Sequence, residues 1–177
     1  MLCGIHGYCL GGGLELAMAS GLRIAATDAV FGQPEIGLGY FPGGGTERLA
    51  LPVGRSRAKE LLWTGRQFSA AEAYSWGLVT SVVDRAGLPA AVRANAAQTA
   101  AQSPRAVLAI KTLVDEATGA RQAMGGALPS VAPRVEEMST SGPVRIALAQ
   151  FEERRAARSR AGAAVEGAEM DREQERR

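Results

Sequence analysis

At 177 residues, 46% apolar and 21% charged, the chain is large enough for one domain with a real core and polar enough to be globular. A net charge of +2 and an aromatic content of 5% argue against a nucleic-acid partner, which would need phosphate contacts or a base-stacking surface. No apolar run nears the roughly twenty residues of a membrane span, and the N-terminus lacks the basic flank of a signal peptide, so no membrane partner is expected.

Residues 1–8 read as one short buried strand entering a glycine turn. The strand begins abruptly, with no earlier element to pair with, which predicts a missing upstream segment. Cys3 and Cys9 flank the glycine-containing stretch 4–8 without a C-x-x-C spacing. Free thiols in a reduced cytoplasm are therefore expected, not a disulfide framework. His6 is the only histidine, so a zinc site is not expected, nor any Ser-His-Asp triad that does not use His6 itself.

The glycine triplet Gly11-Gly12-Gly13 runs straight into the apolar, helix-favouring Leu14-Glu15-Leu16-Ala17-Met18. Glycines let backbone N–H groups approach a ligand with no Cβ in the way. The first turn of a helix leaves such donors unpaired and carries partial positive charge. Gly11 and Gly12 are thus candidates to face an anion, or an oxygen that becomes anionic during reaction. Glu15 is the only acid between Met1 and Ala26, and a carboxylate among apolar neighbours is expensive to bury unless it is hydrogen-bonded or does chemistry. The helix macrodipole alone would also favour an acid there, and both readings stand at this point. The spacing is neither a dinucleotide fingerprint nor a P-loop.

Gly21 is placed to end this helix. Residues 22–26 and 29–32 read as strands around a turn at Thr27-Asp28. Pro34 stops the second strand and biases Gln33 to extended geometry, which puts Glu35 on a loop or strand end, where functional groups gather. Residues 36–48 are glycine-rich again, and 12 of the 22 glycines fall in the first 45 residues. The ligand-approaching backbone is therefore expected in the N-terminal quarter.

The remainder reads as scaffold. A helix is expected over 56–64, closed by Gly65. Ser69-Ala70-Ala71-Glu72 is a capping box that opens another helix, so Glu72 is a cap and not a catalyst. A strand over 78–83 and an alanine-rich helix over 88–102 follow. Ser103-Pro104 supplies the N-cap and first residue of a helix with Val107, Ile110, Leu113, Val114 and Ala117 on one face. A loop and then a helix fit 119–141, with a break at Gly142-Pro143 before a helix over 144–160. Seven basic and seven acidic residues balance in 151–177, and the tail 161–177 is expected to be solvated or disordered. The expected divisions are 1–86, carrying the site motifs, 87–160, helical, and the tail.

Three stretches in this order closely resemble the enoyl-CoA hydratase/isomerase (crotonase) superfamily: Gly11-Gly12-Gly13-Leu14-Glu15, Phe31-Gly32-Gln33-Pro34-Glu35 and Pro42-Gly43-Gly44-Gly45-Thr46. Thr64-Gly65, Ala71-Glu72-Ala73, Gly77-Leu78-Val79 and the late Phe151-Glu152-Glu153-Arg154-Arg155 match as well. The resemblance implies an α/β spiral of repeated ββα turns with C-terminal helices that trimerise, assembled as a homotrimer or hexamer. It implies an acyl-CoA thioester as partner and no cofactor beyond the coenzyme A of that substrate. The enolate oxygen would rest on the N–H of Gly12. Glu15 would act as base for water and Glu35 as the acid protonating Cα. Gly43 would help orient the water, while Phe151 and Arg154 would contact the nucleotide end of coenzyme A.

The pair Glu15/Glu35 favours a hydratase, since isomerases of the family generally work with one acid at the position of Glu35. The alternatives are an isomerase or other crotonase reaction, such as a hydrolase, and a truncated, non-catalytic remnant that binds acyl-CoA or associates with full-length relatives. The family's first third, with its second oxyanion donor, has no counterpart here, which leads to an expectation of weak or no turnover by the 177 residues alone. Two smaller departures are Gly21, where an acid is common, and a Pro42 glycine loop one residue short.

Overall fold

The computed structural model describes residues 1–119, 136–138 and 140–175, with side chains to Ala157 and at Arg160. Strands β1 (Leu2–Ile5) and β2 (Tyr8–Leu10) lead into helix α1 (Gly12–Met18), and β3 (Leu22–Ala26) and β4 (Val30–Gly32) lead into a 3-10 turn (Pro34–Leu38). Helices α2 (Gly43–Val53) and α3 (Arg55–Thr64), strand β5 (Phe68–Ser69), helix α4 (Ala70–Ser75) and strand β6 (Ser81–Val83) complete the spiral. Helices α5 (Leu88–Ala100), α6 (Pro104–Ala117) and α7 (Gly142–Glu175) follow.

The expected single strand over 1–8 is two strands. The chain turns at Gly7, with φ near 59°, and its halves enter different sheets. One sheet has the order β1-β3-β6, all parallel, and the other β2-β4-β5, with β5 antiparallel. Each of the first two turns of the spiral therefore gives one strand to each sheet. Ile5 and Cys9 point into the space between the layers, where Leu14, Phe31, Leu49, Leu61, Phe68 and Leu78 are also buried. The Phe31 and Phe68 rings stack at 5.6 Å, and Trp76 tilts onto Phe68 at 5.2 Å. A smaller cluster of Ile24, Ala26 and Leu88 fixes α5 to β3.

The capping box forms as expected. The Ser69 amide donates to Glu72 Oε2 (2.8 Å), and the Glu72 amide donates to Ser69 Oγ (3.2 Å). Arg66 bridges Glu72 and Glu60, so Glu72 is occupied by structure and not by chemistry.

Several boundaries differ from those the sequence suggests. Gly21 does not end α1: the C-cap is Ala19, and the Gly21 amide donates instead to the Met1 carbonyl at 3.0 Å. The strand expected over 78–83 is shortened to β6 because the Leu78 and Val79 amides donate to the Ala73 carbonyl of α4, at 2.9 and 3.4 Å, and not to a neighbouring strand. Gly142-Pro143 opens a helix where a break was expected; proline is tolerated in a first turn. The backbone of 161–175 continues α7 instead of lacking regular structure. The region 119–141 lies mostly outside the described residues. The expected apolar face of α6 exists but is uncovered, with Ile110 62% and Leu113 64% exposed.

Candidate active site

The parallel pairing of β2 with β4 builds the site. Its register sets Leu10 opposite Gly32, so the segments that leave these two strands emerge side by side. One is Gly11 and α1, carrying Glu15; the other is the 3-10 turn, carrying Glu35. The Gly11 amide donates to the Gly32 carbonyl at 2.9 Å, which ties the two exits together. Gly11 has φ near 52°, and a Cβ there would stand 2.7 Å from Glu35 Oε1. Only glycine satisfies both conditions.

The third wall is the start of α2. Its glycines were expected in a loop; Gly43 is instead the first helical residue after Pro42. Of these glycines it is Gly45 whose amide meets a site carboxylate, donating to Glu15 Oε1 at 2.8 Å. Gly43, which the resemblance assigns to orienting the water, stands two residues earlier in the same first turn. The Gly45 partner is a long-range contact that no local pattern encodes. A Cβ on Gly45 would collide with the Gln33 amide and lie 3.0 Å from Pro42 Cβ.

Gln33 is the second site residue that sequence reasoning misses. Its side chain is 1% exposed. With its amide nitrogen toward the carboxylate it donates to Glu35 Oε1 and Oε2 at 3.2 and 3.1 Å. The available signal was a glutamine between a buried strand and a proline, a costly place for an amide without partners.

Burial pushes the Glu35 carboxyl above its ordinary value, with repulsion from the nearby Glu15 adding to the rise and a backbone hydrogen bond opposing it. Desolvation and a like charge are the two usual ways of keeping a carboxyl protonated near neutrality. The arrangement therefore sets one carboxyl, biased toward its protonated form, beside a second carboxyl fixed by an amide.

Gly12 opens α1, and its first amide has no intrahelical acceptor. The space where side chains would stand at Gly12 and Gly13 is empty to 4 Å, so a ligand oxygen can approach that backbone. The structure thus brings Gly11, Gly12, Glu15, Glu35 and the α2 glycines into one place. Phe151 and Arg154 lie on α7, exposed. The first turn of α7 packs on the 3-10 turn, where Val144 comes within 3.8 Å of a Cβ position at Gly39. At ~1.5 Å per residue, Phe151 and Arg154 stand about 10 and 15 Å further along α7. Among the described residues no group of three or more potential metal ligands occurs, and no helix is long and apolar enough to cross a membrane.

This geometry has relatives. The short-chain-enoyl-CoA hydratase of Clostridium acetobutylicum is 40% identical over 116 residues, 65% of this chain and 44% of that protein. The crystal structure of carnitinyl-CoA hydratase from Mycobacterium avium superposes with a TM-score of 0.76 at 32% identity, covering 84% of this chain and 58% of that one. The enoyl-CoA hydratase subunit I of Geobacillus kaustophilus gives a TM-score of 0.63 at 41% identity, over 68% and 48% of the two chains. The chain spans about half the length of the curated relatives it matches. The fold is therefore crotonase-like. The family model described as enoyl-CoA hydratase/isomerase matches residues 1–158, all three glycine-rich motifs included, and the chain belongs to that family.

Proposed function

We propose that the chain carries the acid–base half of a hydratase site, adding water across the α,β double bond of a trans-2-enoyl-CoA thioester. Glu15 removes a proton from water, and the oxygen bonds to Cβ. The double-bond electrons move onto Cα and the thioester oxygen, giving an enolate that accepts the Gly12 N–H. Glu35 then delivers its proton to Cα as the enolate collapses to the 3-hydroxyacyl product. A single oxyanion donor of this kind is commonly worth ~3 kcal/mol in the barrier. Gly11 keeps the backbone close to the acids, Gly43 begins the helix that faces the water, and Phe151 with Arg154 takes the nucleotide end of coenzyme A, Arg154 suiting a phosphate.

The observation that carries this reading is the meeting of two carboxyls at one glycine-lined opening, with Glu35 pushed by burial toward its protonated form and Glu15 held by the Gly45 amide. The names of the relatives support the same chemistry. A reaction using Glu35 alone, as in an isomerase, leaves the amide-held position of Glu15 unexplained.

Assembly belongs to the same proposal. Leu108, Ile110, Leu113 and Val114 on α6 and Ile146 and Phe151 on α7 are exposed, a concentration that suits a homotrimer or hexamer. The half-buried Cys3 and buried Cys9 are free, which fits a reducing cytoplasm.

Crotonyl-CoA hydration, followed by loss of the enone absorbance, tests the assignment. Glu15→Gln and Glu35→Gln should each lower the rate by about 10²- to 10⁴-fold, the usual contribution of a positioned acid or base. Undiminished turnover in Glu15→Gln would transfer the chain to the single-acid chemistry.

A further inference from the structure

Glu15 has a second neighbour on α2 besides the Gly45 amide. A Cβ on Gly44 would stand 3.1 Å from Arg48 Nη1 and 3.8 Å from Glu15 Oε2. The guanidinium and the second oxygen of the carboxylate therefore flank one point, and glycine at position 44 leaves that space to them. Arg48 follows Gly44 by one helical turn, so it lies on the same side of α2. Its side chain also borders a cavity of about 330 Å³ together with Met18. Met18 stands three residues after Glu15 on α1, the spacing that shares a helix face. Arg48 thus runs in the seam between α1 and α2, with its head at the Glu15 end.

A cation there supplies what the Gly45 amide alone does not. That amide meets Oε1 at 2.8 Å, and a single hydrogen bond leaves a carboxylate able to turn about its last bond. Guanidinium–carboxylate bonds are charge-assisted and directional, so a second anchor at Oε2 fixes the plane of the group. Each carboxylate oxygen accepts more than one hydrogen bond, and both anchors leave room for water. A base has to meet its proton at about 3 Å, and a small misplacement costs rate steeply. We propose that Arg48 is a positioning residue, its guanidinium holding Glu15 Oε2 so that the carboxylate faces the water of the hydration step. The catalytic consequence rests on the hydratase reading; the pairing stands on geometry.

Two double-mutant cycles on the full chain test it. In crotonyl-CoA hydration, Arg48→Met should lower kcat by about tenfold or more and leave KM near that of the parent, with Arg48→Lys restoring part of the loss. In a Glu15→Gln background the same change should cost almost nothing, because Arg48 acts only through that carboxylate. An equal loss in both backgrounds would overturn the proposal. The second cycle is urea unfolding of the parent, Arg48→Met, Glu15→Gln and the double variant. The expected coupling is about threefold or more in the unfolding equilibrium constant, weakened by added salt. Additive effects would overturn the pairing whether or not the chain turns over. Undiminished turnover in Glu15→Gln would overturn the hydratase reading and the catalytic role with it, the coupling then reporting the ion pair alone. Arg48→Gln takes the place of Arg48→Met in both cycles should the latter fail to fold.

Discussion

Glu35 is held by opposing influences, and each can be tested separately. Its carboxyl lies above the ordinary value because burial, and then Glu15, disfavour the charged form. A carboxyl raised on folding contributes stability that is complete below its unfolded value and is lost as pH climbs through the folded one. Glu35→Gln, which cannot ionise, should therefore melt close to the parent at acid pH, near the ordinary 4.5, and above it at neutral pH. Melting curves across that range check the sign; a constant offset would show that ionisation of Glu35 costs the fold nothing. Gln33 acts in the opposite direction, because donors to a carboxylate favour its charged form. Gln33→Met should raise the Glu35 value further and move the alkaline limb of the hydration pH profile upward. Neither Gln33 nor Gly45 was legible in the sequence. Glu15 and Glu35 stood out as acids in apolar or glycine-rich surroundings, whereas an amide and a glycine announce their partners only once distant segments meet.

Among the elements, those with strong local signals matched the sequence best. Ser69 and Glu72 form the reciprocal bonds their spacing predicts. Ser69→Ala should cost about 1 kcal/mol of stability, measurable by denaturant unfolding, and leave hydration unchanged because α4 touches neither carboxyl. The start of α2 was harder to read. Three successive glycines are poor helix formers, yet they begin a helix because backbone must approach both Glu15 and Gln33 there. Packing overrides propensity at Gly43–45, where function gathers. The split of residues 1–8 was hidden for a related reason: one short segment with a glycine near its end does not reveal that Gly7 sends its halves to two layers.

For the whole molecule, the two-layer spiral and its helical extension followed from the collinear motifs, while the boundary of α7 did not. A charge-balanced, apolar-poor segment carries no stop signal, so its helical continuation to Glu175 could not be read from composition. The uncovered α6 face bears on assembly. Leu113→Glu should reduce the molecular mass measured by light scattering in solution toward that of a single 18.4 kDa chain. An unchanged mass would remove α6 from the contact. The interior should be indifferent to this change, since no residue of α6 is buried.

The pairing of Leu10 with Gly32 has a consequence for how such chains can vary. Because the two acids meet through ladder alignment and not through the length of chain between them, residues can be gained or lost around Thr27-Asp28 with the reactive distance kept. A slip of a single rung is a different matter. It would displace Glu35 by about 3.3 Å and turn Phe31 from the interior to the opposite face, parting the two carboxyls and opening the core at one stroke.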